Sequence, residues 1–274
     1  LIAQPLAERL RQQVVIDNRG GANAIIGTDL GAKAPADGYT WVFCLPASVS
    51  VNPTLYRNLP YDPARDFAPV IRLNTIALLM TVTNSLPAKN VAELVALAKA
   101  KPGTLNYASS GNGGAAHLAM ALFNVTAGLD MVHVLYKGGG PAMTDLLGGQ
   151  LPFMFDPGIG LQHVKAGQLR LLAVGSPRRH PAWPDVPTVA EVVGGEFDAD
   201  TVFGLYAPAG TPKDVVARLN QEVTRQMQGG PMSERVAAIG ATGLQLTAEA
   251  FAARVRAEHA RMAGLVKEIG LKAD

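Results

Sequence analysis

The chain of 274 residues has a single cysteine, Cys44, so it forms no internal disulfide and no cysteine-based zinc site. No apolar run approaches the roughly 20 residues of a membrane-spanning helix. Charged residues are sparse at 17%, and the two signs nearly cancel at a net +2, which leaves no basic stripe for nucleic acid. The five histidines, at 117, 133, 163, 180 and 259, are scattered, and no His/Asp/Glu group has metal spacing. There is no GxSxG elbow, because Ala108 precedes Ser109-Ser110 where a glycine is needed, and no paired-carboxylate pattern. Low-complexity segments and fixed-period repeats are also missing. These absences predict a protein that is not an enzyme and calls for no cofactor. Cys44, between Phe43 and Leu45, reads as a buried small hydrophobe.

What is present is a globular composition, 48% apolar with 29 glycines and 19 prolines, long enough for one large domain or two lobes. One stretch organises it: TLNYASSGNGGAAHLAMALFNVTAG, residues 104–128. Leu105-Asn106-Tyr107-Ala108 reads as a strand, and a helical pattern follows over 115–125. Between them lie Ser109, Ser110, Gly111, Asn112, Gly113 and Gly114. A strand that delivers a Ser/Gly turn into a helix N-terminus leaves several backbone N–H groups pointing one way, with the helix dipole behind them. This is an anion site in prospect, for a carboxylate or a phosphate. The bland alternative is a tight turn that binds water.

Elsewhere the chain alternates. The spacing predicts a helix over 1–12, a doubly buried strand at Val14-Val15-Ile16, a turn at 18–23 and a helix over 24–34. TWVFCL at 40–45 reads as the next buried strand, followed by a small-residue loop, Pro46 to Ser50. NPTLYRNLPYDPARD at 52–66 reads as a surface excursion, and 69–73 and 76–83 as strand-like runs. Helices are expected at 91–100, 115–125, 141–147 and 161–166. Strands are expected at 105–108, 131–136, 151–155, 169–175 and 203–207. The tail reads as helices over 212–227, 233–239 and 248–269. Such β-α-β series predict α/β lobes with mostly parallel sheets flanked by helices. The partition is 1–82 with 207–274 as lobe 1 and 83–206 as lobe 2, joined by two crossing strands that act as a hinge. The opening LIAQPLAERLRQ is in mid-helix with no cap before it, so a first strand and a signal peptide are expected to precede it.

Several segments in order carry a resemblance: NRGGANAIIGTD, NPTLYRNLPYDPARDFAPV, KPGTLNYASSGNGGAAHLA, VHVLYKGGGPAMTDLLGGQLPFMFD, AGQLRLLAVGSPRRHPAWPDVPTVAE and FGLYAPAGTPKDVVARLN. Together, over essentially the whole chain, they resemble the Bug-type substrate-binding proteins of tripartite tricarboxylate transporters. The resemblance implies a two-lobed type II periplasmic-binding-protein fold, a periplasmic location after removal of a leader, and a monomer. It also implies a small carboxylate as ligand (di- or tricarboxylate, acidic amino acid or aromatic acid), transient membrane transporter subunits as partners and no nucleic acid. One carboxylate is expected on the loop from Ser109 to Gly114. Asn23, Ala24 and Ser48 are expected from the first lobe, and Asp156, Thr201 and Phe203 from the second. The chain departs from the family pattern at Gly114, Ala24, Pro157 and Val202, where a small hydroxyl residue, Gly, Asn and Trp are common.

Competing readings stay open. Gly111 to Ala116 also fits GxGxxA, so a nucleotide-dependent enzyme with a dinucleotide on Gly111–Gly114 is the alternative. Its required acid is wanting, since Asp130 lies before the strand MVHVLY rather than after it. A ligand-sensing regulatory module is a third reading and needs a DNA-binding segment. Tyr136-Lys137-Gly138-Gly139-Gly140-Pro141 is either a second carboxylate loop or a plain turn with a solvated lysine. Asp156 either faces the ligand or caps its own turn. His117 reads first as a helix-packing residue, with a ligand or pH-sensing role as the sharper alternative, and His133 as structural.

Overall fold

The computed structural model describes residues 2–45, 47–109, 111–228, 233–234, 236, 241–242 and 247–271. The chain divides into two compact units, 1–75 with 202–274, and 76–201. It passes between them inside two strands, earlier in both places than the 82/83 and 206/207 divisions drawn from the sequence.

In the first unit, α1 (Ala3–Leu10) is followed by a 3₁₀ turn (Ala22–Ala24), α2 (Ile25–Ala32) and β1 (Val42–Cys44). A π-helical turn (Ala47–Val51) leads into α3 (Asn52–Leu55) and α4 (Pro63–Asp66), then β2 (Phe67–Ile76). Its sheet has the order β1-β8-β2-β9, where β8 is Thr201–Pro208 and β9 is Ala241–Thr242. β1 and β8 are antiparallel, with Val42 opposite Tyr206 and Cys44 opposite Gly204. Cys44, Val49, Tyr61, Phe67, Tyr206 and Phe251 form its core. Gly204 is required there, because a Cβ would stand 2.2 Å from the Phe251 ring.

Three expectations fail in this unit. Val14–Ile16 forms no strand, and Val15 and Ile16 are 80% and 65% exposed. An apolar run says that a segment tolerates burial, not that a sheet edge lies beside it. The strand within 40–45 is three residues long and one-sided, with Cys44 buried and Phe43 exposed. The stretch 52–66 is no simple surface excursion, because Asn52, Leu55 and Tyr61 are buried. Its prolines start short helices instead, at Pro53 and Pro63.

The second unit holds β3 (Leu79–Thr83), α5 (Val91–Ala100), β4 (Asn106–Ser109), α6 (Ala115–Ala127), β5 (Val132–Leu135) and α7 (Gly139–Leu147). β6 (Phe153–Asp156), α8 (Leu161–Lys165), β7 (Leu169–Val174) and α9 (Val189–Val193) complete it. Its sheet runs β5-β4-β6-β3-β7, with β5, β4 and β6 parallel and β3 antiparallel to both β6 and β7. β6 is buried on both faces. Phe153 and Phe155 enter the core under α5 and α6, and Met154 enters the one under α7. The tail supplies α10 (Lys213–Met227) and α11 (Ala248–Glu268) to the first unit, while most of the expected helix at 233–239 lies outside the described residues.

Candidate binding loops

In the second unit, parallel β4, β5 and β6 end at one sheet edge in Ser109, Leu135 and Asp156. Each strand turns there into a helix whose N-cap is a glycine with no side-chain cap: Gly114 for α6, Gly138 for α7 and Gly160 for α8. The unit's other helices differ, with α5 capped by Asn90 and α9 closed by a Thr188/Glu191 capping box. Uncapped first-turn amides stand at the strand ends, where open α/β sheets take their ligands. α6 is the longest of the three at 13 residues, so its first-turn amides carry a full dipole contribution.

The loop before α6 is tied down from behind. Ser109 is fully buried, and its Oγ donates to the Gly111 carbonyl at 3.0 Å. That hydroxyl also meets His133 Nε2 at 2.6 Å and accepts from Gly111 N at 3.4 Å. Gly113, at φ 70°, donates its N–H to His117 Nδ1 at 3.1 Å. Gly114 N bonds Gly111 O at 3.2 Å, so the turn closes on itself before the helix begins. Nothing lies within 4 Å of where a Cβ on Gly111 would be, so this side of the loop is open. Asn112 is half-buried, and Ser110 lies outside the described residues.

The neighbouring loops are built for rigidity. Asp156 is fully buried, and its oxygens accept from Ile159 N at 2.9 Å and Gly160 N at 2.7 Å, which makes it the anchor of its own turn. Burial pushes its carboxyl pKa up while those amides pull it down. Tyr136 donates its backbone N–H to Ser109 O at 2.9 Å and its hydroxyl to Asp145 at 2.7 Å. Lys137 is exposed, and Gly138, at φ 113°, adopts a backbone that side chains disfavour. A Cβ on Gly139 would meet Ile159 at 2.7 Å, so the loops after β5 and β6 are in contact.

In the first unit, Ala22, Asn23 and Ala24 are consecutive non-glycine residues at positive φ, 46°, 51° and 66°. Such a run persists only where its surroundings hold it, and it is a feature of functional turns. The holder is Asn52, fully buried. Its Nδ2 donates to Asn23 O at 3.0 Å, and its Oδ1 accepts from Asn23 Nδ2 at 2.8 Å. Tyr61 OH donates to Ser48 O at 2.9 Å, and Thr28 Oγ1 donates to Ala24 O at 2.8 Å. This network joins the Asn23-Ala24 turn to the Ser48 turn. Ser48 Oγ is buried without a hydrogen-bond partner among the described residues, and so is Thr201 Oγ1 of the second unit. Phe203 belongs to the first unit rather than the second, and it stacks on Phe43 with centroids 5.5 Å apart.

Sequence reasoning missed Asn52 and Tyr61, whose partners are set by tertiary folding alone. It also missed what the two histidines do for the loop, although His133 alternating into the sheet beside Tyr107 was a usable signal. Asp130 lies before β5, at the end opposite the glycine loop, so a dinucleotide's ribose acid is not in place. Among the described residues no His/Cys/Asp/Glu group is arranged for a metal ion, and no helix is long and apolar enough to cross a membrane.

The profile of the family described as "Tripartite tricarboxylate transporter family receptor", TctC, matches residues 1–271. Protein BugT of Bordetella pertussis is 36% identical over 275 residues, which cover 99% of this chain and 84% of BugT. Among solved structures, an adipate-bound R. palustris protein has a TM-score of 0.91 at 35% identity, covering 99% of this chain and 91% of that one. MatC from Rhodopseudomonas palustris with bound malate has a TM-score of 0.86 at 28% identity over 97% and 92% of the two chains. The periplasmic binding protein BugD has a TM-score of 0.88 at 31% identity over 100% and 92%. BugD is described as a periplasmic binding protein, the two R. palustris structures hold adipate and malate, and none of these comparisons supports a nucleotide-dependent activity. The fold is theirs, and the chain belongs to the TctC family of tripartite tricarboxylate transporter receptors.

Proposed function

We propose that this receptor captures a small organic dicarboxylate in the periplasm and delivers it, as a monomer, to membrane transporter subunits. A leader peptide removed on export belongs to the same reading. The observation that carries it is the uncapped α6 N-terminus behind an open, braced Ser/Gly loop at the end of β4. One carboxylate is received by the loop from Ser109 to Gly114 and the first-turn amides of α6. Within the first unit Asn23, Ala24, Phe203 and Ser48, with its unpartnered hydroxyl, are ligand contacts in this reading, and within the second so is Thr201, whose hydroxyl is likewise unpartnered among the described residues. Asp156 acts by fixing its turn. Adipate and malate, the acids bound in the R. palustris relatives, are the first ligands to try.

Amide N–H groups and hydroxyls bind a carboxylate without a fixed countercharge, so the ligand is held by hydrogen bonds alone and can be released. A thermal-shift panel of dicarboxylates, citrate, acidic amino acids, aromatic acids and NAD tests the reading. An acid present at 100 times its Kd stabilises the protein by about 2.7 kcal/mol. A rise of several degrees with a dicarboxylate and none with NAD is expected. A rise with NAD alone overturns the reading.

A further inference from the structure

His117 is the third residue of α6, the position from which a glutamate closes a capping box. The same unit shows the ordinary version on α9, where Glu191 Oε2 accepts from Thr188 N and Thr188 Oγ1 accepts from Glu191 N, both at 3.1 Å. On α6 the acceptor is an imidazole, and its Nδ1 takes the N–H of Gly113, one residue before the Gly114 N-cap, at 3.1 Å, while the Gly114 N–H goes to the Gly111 carbonyl. A ring nitrogen accepts only when it carries no proton, so His117 is the neutral tautomer with its proton on Nε2. The ring is 7% exposed and stacks on His133 with centroids 3.9 Å apart at 16°. Tyr107 stacks on the same His133 at 5.2 Å. α6 has no other ionisable side chain. The titratable groups on the strands packed against it are Tyr107 on β4, His133 on β5 and Asp156 at the end of β6. Burial, and then the proximity of His133, push the His117 pKa down to about 4.

We infer that His117 is a positioning residue of the binding loop, an uncharged tether that fixes Gly113 just before the helix entry without setting a negative charge behind amides that receive a carboxylate. The inference rests on the carboxylate reading and deepens it. A charged acceptor here would hold the loop equally well and repel the ligand. A missing acceptor would leave the helix entry uncharged but loose.

Three variants of the full chain separate these effects: His117→Gln, a neutral acceptor; His117→Glu, a charged one; and His117→Ala, which has none. Calorimetric titration with adipate and with malate reads affinity, and hydrogen exchange of the Gly113 amide without ligand reads the tether. His117→Gln is expected to bind within about threefold of the parent protein. His117→Glu is expected to bind about tenfold or more weakly, with the gap narrowing in 0.5 M salt. Gly113 exchange is expected to rise about tenfold in His117→Ala and to stay at the parent rate in His117→Gln. Equal affinity of the Gln and Glu variants overturns the inference, as does unchanged Gly113 exchange in His117→Ala. Should His117→Glu fail to fold, the Gln and Ala variants still decide the tether. Parent protein that binds no acid of the whole panel while Gly113 responds as stated overturns the carboxylate reading and upholds the tether.

Discussion

Replacing Asn52 with alanine tests whether the left-handed run at 22–24 is imposed by its surroundings. Asn52 is fully buried and makes two well-formed bonds to Asn23, at 2.8 and 3.0 Å, with Tyr61 OH a longer 3.5 Å contact. Each such bond is worth about 1 kcal/mol net, and a carbonyl left unpaired adds to the loss. The substitution should therefore cost about 2–3 kcal/mol. For a chain of this size that lowers the melting temperature by roughly 5–10 °C. Asn52→Asp keeps the shape but turns an oxygen toward the Asn23 carbonyl and should be no better. Release of the run also lets Ala22, Asn23 and Ala24 relax into ordinary conformations, so dicarboxylate affinity should fall with stability. Scanning calorimetry of both variants, with and without ligand, checks each part. A melting temperature within about 1 °C of the parent, with unchanged affinity, would mean that Asn52 does not hold the run.

Other outcomes follow from the same geometry. Ser109→Ala removes the hydroxyl shared by His133 and Gly111, and should cost about 1–2 kcal/mol by urea denaturation while weakening ligand binding. Asp156→Asn can accept only one of the two amides now bound, so a loss of about 1–2 kcal/mol and faster exchange at Ile159 or Gly160 are expected. Ala24→Gly relieves a φ of 66° and should raise stability by about 0.5–1 kcal/mol in the same assay. His117 has a folded-state pKa of about 4 against 6.5 unperturbed, so the unfolded chain binds more protons between those values. Stability should therefore fall as pH drops from about 6.5 toward 4. After solvent screening the loss is about 1–2 kcal/mol by pH 5, and His117→Gln should flatten that slope.

The strand, loop and helix at 104–128 were legible because the apolar period changes there from two to 3.6, with Ser and Gly marking the change. The observed strand begins one residue later than read, at Asn106, and α6 begins at Ala115 as read. α5 over Val91–Ala100 has the bounds expected from its apolar face and its terminal Lys-Pro-Gly. Val14–Ile16 failed because strand identity needs a partner that no local pattern supplies. The burial of Asn52 and Tyr61 failed for a related reason, since a polar side chain is buried only where the fold brings it partners. His117 and His133 are 16 residues apart, and only the parallel pairing of β4 with β5 brings their rings together.

In the proposed complex the Ser/Gly loop and the α6 entry receive the ligand's carboxylate. Backbone amide chemical shifts across a titration with adipate or malate report on this placement. Saturable shifts concentrated at residues 111–117 are expected. Saturable binding that leaves those amides unmoved would contradict it.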